Sequence, residues 1–179
     1  THLVEQLLRL ARLDPLKSVE SATPIDLRAI LAEAAGRARN ANPTVAQKII
    51  ETYPPGDLIS HGDADLIGIA VRNLLDNAIR YTLPEHTVWL EVKAGADAYT
   101  LSVRDNGPGV PPTTLARLGE RFYRGRETSA EGNGLGLAIV ARVAELHGAR
   151  LETGNAAEGG FVASLSGLLP VEKGFVQIL

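Results

Sequence analysis

The sequence predicts an α+β two-layer sandwich, a sheet backed by helices. Three observations predict it. Segments that alternate apolar and polar residues come in neighbouring pairs, Thr87–Val92 with Tyr99–Val103 and Arg150–Thr153 with Phe161–Leu165. The helical segments are amphipathic, each with one apolar face. Strands and helices segregate more than they alternate, which disfavours a doubly wound sheet.

Taken in order, Thr1–Leu13 is an amphipathic helix with Leu3, Leu7 and Leu10 on one side and Val4, Leu8 and Ala11 beside them. Pro15 and the polar stretch to Thr23 break it. Its stripe either packs on the domain that follows or is the last stretch of a helical hairpin, and the pattern favours the hairpin. Ser18–Ile25 reads as extended. Asp26 caps a helix to about Arg39, with Leu27, Ile30, Leu31 and Ala34 facing inward. Gln47–Thr52 and Leu58–His61 read as short strands. Asp63 or Asp65 opens a helix that carries Asn73–Thr82. Gly95 lies near the turn between the next two strands, and Thr113–Leu118 is a short helix. Gly119–Asn133, rich in Arg, Gly, Glu and Ser, reads as a mobile loop. Gly134–Leu146 is a helix ended by Gly148 at C′.

The chain has 179 residues, enough for one domain and an appendage. Hydrophobic residues at 45% allow a packed core, and a net charge of −3 argues against general nucleic-acid or acidic-membrane binding. The absence of cysteine excludes disulfides and thiolate metal sites. No apolar run approaches the roughly 18 residues of a membrane span. The chain has no methionine and begins inside a helix-like pattern, so a piece of a longer protein is expected.

Three polar or glycine-rich clusters then stand in a fixed order: NLLDNAIRYT at Asn73–Thr82, DNGPGV at Asp105–Val110 and GNGLGL at Gly132–Leu137. In the first, Asn73, Asn77 and Arg80 share one helix face with Tyr81 at its edge, opposite Ile67, Val71, Leu74, Leu75 and Ala78. An Asn carbonyl is a hard oxygen ligand suited to Mg²⁺, Arg80 can neutralise phosphate, and Tyr81 can stack on a base. A solvent-facing stripe gives the same pattern.

In the second cluster, Asp105 follows a strand, and Gly107 and Gly109 permit close backbone approach. A carboxylate there can accept a hydrogen from an exocyclic amine such as that of adenine, although the same residues make a plain turn. The third cluster presents glycine-flanked amides at a helix N-terminus, a ready anion site. It is not the dinucleotide fingerprint, which needs glycine where Leu137 stands, and the chain has no Gly-Lys-Ser/Thr P-loop. Between the second and third clusters, Arg121, Arg124 and Arg126 with Phe122 and Tyr123 suggest a lid over a phosphate site.

Together these residues resemble the catalytic, ATP-binding domain of two-component sensor histidine kinases. That domain belongs to the wider GHKL (Bergerat) family shared with type II topoisomerases, ninety-kilodalton heat-shock chaperones and MutL proteins. The likeness runs from about Ile25 to Leu165. NLLDNAIRYT resembles the N box, DNGPGV the first G box, ERFYRG the F box and GNGLGL the second G box. THLVEQLLRLARL resembles the second helix of the dimerisation hairpin. VRNLLDNAIRYT, DNGPGV, GERFYRG and GNAAEGGF together are most similar to the QseC-like subgroup.

The resemblance implies a Bergerat fold with a mixed sheet backed by helices. It divides the chain into a truncated dimerisation and histidine-phosphotransfer helix (1–14), a linker and first strand (15–24), the catalytic domain (25–168) and a tail (169–179). It implies Mg²⁺ and ATP as cofactors, with Asn77 the metal ligand and Asn73 supporting it. Arg80 contacts phosphate, Tyr81 lies near the base, and Asp105 accepts the adenine amino hydrogen. Gly107, Gly109 and Val110 enclose the base. Phe122 and Arg124 belong to the lid, and the Gly132 and Gly134–Leu137 backbone, through Leu135 and Gly136, meets the phosphates. The implied partners are the protein's own hairpin, a response regulator and a second copy in the full-length protein. The implied place is the cytoplasmic domain of an inner-membrane sensor, joined to the membrane only through a preceding region. Gly119 stands where many relatives have a further aromatic, and Phe161 where many have Thr near adenine.

Relatives that hydrolyse ATP carry a glutamate base four residues before the metal Asn. Here that position is Asn73, and an amide cannot take a proton at neutral pH. The expected function is transfer of the γ-phosphoryl to a histidine on the hairpin, for relay to a response-regulator aspartate. A hydrolytic ATPase and a non-catalytic nucleotide-binding module are the alternatives. None of His2, His61, His86 and His147 stands in the context of a phospho-acceptor, and an imidazolium at His147 suits the helix end.

Overall fold

The computed structural model describes residues 2–13, 15–16, 18–19, 22–41, 48–81, 87–118 and 134–171. The chain runs α1 (His2–Leu13), β1 (Thr23–Asp26), α2 (Leu27–Ala41), β2 (Ile49–Thr52), β3 (Ile59–Gly62), α3 (Ala64–Tyr81), β4 (Val88–Ala94), β5 (Tyr99–Asp105), α4 (Pro112–Leu115), α5 (Gly136–Leu146), β6 (Arg150–Asn155) and β7 (Phe161–Leu168). The expected loop Gly119–Asn133 lies outside the described residues.

Local chemistry explains the helix ends. The Ala29 N–H donates to Asp26 Oδ1 at 3.2 Å, so Asp26 caps α2. The Leu66 N–H donates to Asp63 Oδ1 at 3.0 Å, so Asp63 rather than Asp65 caps α3. Gly148 ends α5 in the left-handed region with φ 67°. The Ala149 N–H then reaches the Ala144 carbonyl and the Gly148 N–H the Glu145 carbonyl, a Schellman ending.

Five strands form one mixed sheet in the order β2-β4-β5-β7-β6, parallel only between β2 and β4. Its inward positions follow the two-residue period. Leu90 pairs with Val103 and Leu101 with Leu165, all buried beneath α2, α3 and α5. Helix α3 lies between the other two and contributes Ile67, Val71 and Leu75 to the core. The two-layer sandwich is therefore as the sequence predicts. The same register sets Asp105 opposite Val88, on the core side of the last residue of β5.

Several boundaries differ from the sequence reading; α4, for one, is Pro112–Leu115 rather than Thr113–Leu118. Strand β3 runs Ile59–Gly62 rather than Leu58–His61, because the Leu58 carbonyl accepts the Leu27 N–H at 2.9 Å instead. Strand β1 pairs antiparallel with β3 from Thr23 onward, so it straddles the boundary expected at residue 24. The tail expected from residue 169 begins attached. His61 N–H donates to the Leu169 carbonyl and Val171 N–H to the Ile59 carbonyl, each at 3.0 Å.

The first helix shows both sides of its expectation. Leu10 and Leu13 are buried, and α1 packs against α5. Arg142 on α5 donates to the carbonyls of Leu13 and Leu16, and the Val19 N–H donates to the Leu146 carbonyl. The C-terminal turn thus packs on the domain that follows, while Leu7 and Leu8 further up are 37% and 53% exposed.

Candidate functional site

Asn73 and Asn77 lie one turn apart on α3, on the side that meets the start of α5. The contact is close. A β-carbon at Gly136, the first residue of α5, would lie 3.3 Å from Asn73 Oδ1 and 3.6 Å from Asn77 Oδ1. Glycine there lets the first turn of α5 descend onto both amides. The polar stripe is consequently not a solvated face at this end. Asn73 is 9% exposed, its Nδ2 donating to the Ile69 carbonyl at 2.9 Å, and Asn77 is half-buried. One turn on, Arg80 and Tyr81 are exposed. The stripe splits because α5 covers only its first half.

Among the described residues no side chain caps α5; its N-cap is Leu135, preceded by Gly134 at φ 69°. The first-turn amides of a helix lack intrahelical partners and carry partial positive charge, so this end is suited to an anion. The helix starts at Gly136, two residues later than expected. The Leu135 side chain is fully buried and Leu137 packs on the core. Gly134–Leu137 therefore offers backbone rather than these two side chains.

Asp105 closes β5 and is 4% exposed. Its Oδ1 accepts the Gly107 N–H at 2.8 Å and the Phe161 N–H at 3.2 Å. Its Oδ2 takes no hydrogen bond among the described residues. A buried carboxylate oxygen left without a donor is costly, which suits it to a donor on a ligand. The bond to Gly107 is an Asx turn, so the turn reading of DNGPGV holds, and the turn is compatible with the carboxylate reading.

Side chains that the sequence did not single out hold this loop. Asn106 Oδ1 accepts the Thr87 N–H at 2.7 Å. Asn155, at the end of β6, bonds both the N–H and the carbonyl of Val110 at 2.8 Å. Val110, an expected ligand contact, thus has both backbone groups engaged by protein. Gly160 packs its backbone on that of Asp105. Asn155 and Gly160 fall within GNAAEGGF, but nothing in that string shows that it meets a loop 45 residues earlier. Phe122, Arg124 and Gly132, with Arg121, Tyr123 and Arg126, lie outside the described residues.

His61 and His147 stand apart from this cluster. His61 is an exposed residue of β3. His147 follows α5; its Nε2 accepts the Asp63 N–H at 3.0 Å and its Nδ1 lies 2.7 Å from the Val143 carbonyl. That pairing fixes a neutral ring with the proton on Nδ1. Burial lowers its pKa below the usual histidine value, against opposing effects of the Val143 carbonyl and Asp63. The imidazolium expected at this helix end is replaced by a neutral ring, because Nε2 must keep its lone pair to accept the Asp63 N–H and burial disfavours the charged form.

Among the described residues no cluster of three or more His, Cys, Asp or Glu side chains can hold a metal. An ion at this site would depend on amide oxygens and on a ligand's own oxygens. Asn77, half-buried beside Gly136, fits that demand for a hard ion.

The family described as histidine kinase-, DNA gyrase B- and HSP90-like ATPase matches residues 62–172. Sensor protein QseC of Escherichia coli K12 is 43% identical over 166 residues, covering 93% of this chain and 36% of that protein. The chain thus spans about a third of the curated relatives it matches. The cytoplasmic segment of histidine kinase QseC is 32% identical with a TM-score of 0.62, covering 94% of this chain and 91% of that one. The ATP-binding domain of PrrB from Mycobacterium tuberculosis is 27% identical with a TM-score of 0.67, covering 85% and 100%.

Proposed function

The chain belongs to the histidine kinase-, DNA gyrase B- and HSP90-like ATPase family, as an ATP-binding catalytic domain of the sensor histidine kinase type, and on that premise we propose how its site works. It binds Mg-ATP and presents the γ-phosphoryl to a histidine on the dimerisation hairpin of the whole protein, for relay to a response-regulator aspartate. The observation that carries this is the buried Asp105, whose Oδ2 lacks a donor among the described residues while Oδ1 is doubly held. A carboxylate in that state reads an amino group, as on adenine.

This reading assigns each residue a role. Asp105 accepts the adenine amino hydrogen. Gly107 and Gly109 let the backbone approach the base, with Tyr81 beside it. The first-turn amides of α5 and the Gly134–Leu137 backbone receive phosphate oxygens, and Arg80 neutralises their charge. On this reading Phe122 and Arg124 belong to the lid and Gly132 to the phosphate-binding backbone; all three lie outside the described residues. Asn77, supported by Asn73, holds Mg²⁺, which when bound neutralises phosphate charge. Transfer is in line: an imidazole nitrogen forms a bond to the γ-phosphorus as the bond to the bridging oxygen breaks and ADP leaves. The chain's contribution is positioning and charge neutralisation.

Asn73 favours phosphotransfer over hydrolysis. Its amide stands where a general base would be needed and cannot accept a proton from water. The exposed Leu7 and Leu8 of α1 support residues 1–14 as the second hairpin helix, buried in the full-length homodimer. We place the domain on the cytoplasmic side of an inner-membrane sensor. Among the described residues no helix is long and apolar enough to cross a membrane.

The test mixes this chain with γ-labelled ATP, Mg²⁺ and a separate piece carrying the upstream hairpin. Acid-labile, base-stable label on the hairpin, lost in Asn77→Ala, is the expected result. Free phosphate without labelled protein would make the site hydrolytic.

A further inference from the structure

We infer that Asn155 is a positioning residue that holds the base-reading loop in register and thereby sets nucleobase discrimination. The inference rests on the nucleotide reading above. Asn155 Oδ1 accepts the Val110 N–H and its Nδ2 donates to the Val110 carbonyl, both at 2.8 Å. One side-chain amide thus pairs with both backbone groups of one residue, as a neighbouring strand would. Two bonds on one residue fix orientation as well as distance.

The fit depends on Gly109. Its φ is 74°, and a β-carbon there would lie 2.9 Å from Asn155 Oδ1. The glycine clears the path by which the Asn155 amide reaches Val110.

The other end of the loop is tied to the same hairpin. Asp105 Oδ1 accepts the Phe161 N–H, and Phe161 is the strand partner of Asn155. The end of the β6–β7 hairpin therefore grips Asp105–Val110 at both limits, and Asn106 ties the loop to Thr87 in between. Release of the Val110 end would leave Asp105 in place but free the loop that sets how a base lies against it. The α5 amides, which receive phosphate on this reading, belong to another part of the chain and would not feel the change. The effect is therefore selective for the base.

The experiment measures dissociation constants of the whole chain for ATP and GTP by calorimetry with Mg²⁺, alongside the thermal midpoint and hydrogen exchange of the Val110 amide. The variants are Asn155→Ala and Asn155→Asp, the second keeping the acceptor and losing the donor. Asn155→Ala is expected to weaken ATP about tenfold and GTP less than about twofold, with Val110 exchange about tenfold faster. Asn155→Asp should fall between, and it decides the matter where the alanine variant does not fold. A lowered midpoint with an unchanged ATP-to-GTP ratio in both variants would make Asn155 merely structural and overturn the inference. Wild-type chain that binds ATP no better than GTP would instead sink base reading by Asp105, and this inference with it.

Discussion

Gly160 lies directly against Asp105. A β-carbon at position 160 would sit 1.9 Å from the Asp105 carbonyl oxygen and 2.6 Å from its carbonyl carbon, and Gly160 has φ 93°. The atoms in the way are backbone at the end of β5, so no rotamer change relieves the contact. The next residue, Phe161, supplies the N–H that holds the Asp105 carboxylate. Backbone packing at Gly160 and orientation of the Asp105 side chain are thus one arrangement.

Gly160→Ala is expected to destabilise the fold by roughly 3 kcal/mol or more, from a forced left-handed alanine and a displaced strand end. Urea unfolding checks it. Gly159→Ala, where φ is also positive but an added β-carbon would meet no described residue beyond its chain neighbours within 4 Å, should cost clearly less. Equal losses would mean that backbone conformation alone matters and the contact with Asp105 does not.

Asp105→Asn keeps the size of the side chain and an oxygen for the Gly107 and Phe161 amides, but turns an NH₂ toward the place of Oδ2. Two donors then face each other when an adenine amino group arrives. ATP affinity is expected to fall about ten- to a hundredfold with little change in the urea midpoint. Retained affinity would remove Asp105 from the base site.

Asn77→Ala should lower phosphotransfer to the hairpin by about a hundredfold or more, with the loss concentrated in the Mg²⁺-dependent part of nucleotide binding. The paired measurement is ATP affinity with Mg²⁺ and with chelator. A variant equally weakened under both conditions would assign Asn77 to packing beneath α5 rather than to the ion.

His147 makes stability depend on pH. Its folded pKa lies below the unfolded value of about 6.5, so the unfolded chain takes up the proton first. The contribution is complete above that value and is lost as pH falls toward the folded pKa, at no more than about 1.4 kcal/mol per pH unit. Denaturation of wild type and His147→Gln between pH 7.5 and 5.5 should show this loss in the wild type and not in the variant, so that the difference between them changes with pH. Parallel curves would contradict it.

The geometry around His147 also shows why it was misread from the chain alone. A histidine before the Gly148 stop suits a charged ring at a helix end. The folded chain brings Gly62 so close that a β-carbon there would lie 2.6 Å from the imidazole, and the Asp63 N–H takes its Nε2. That neighbour is 84 residues away and appears in no local pattern.

What the sequence by itself determined was whatever depends on neighbours along the chain. Asp26 and Asp63 start helices because their side chains reach amides three residues on, and Gly148 ends one because it tolerates positive φ. The inward residues of β4, β5 and β7 follow from a period of two. Asn73 and Asn77 share a face because a helix has 3.6 residues per turn. The order of the three clusters was enough to name the family. Only the tertiary structure decided what those residues face. It set α5 on Asn73 and Asn77 through Gly136, left one oxygen of Asp105 without a donor among the described residues, and brought Asn155 and Gly160 to a loop far earlier in the chain. The reason is physical: propensity and periodicity act over a few residues, whereas burial and close backbone contact depend on which distant segment the core brings alongside.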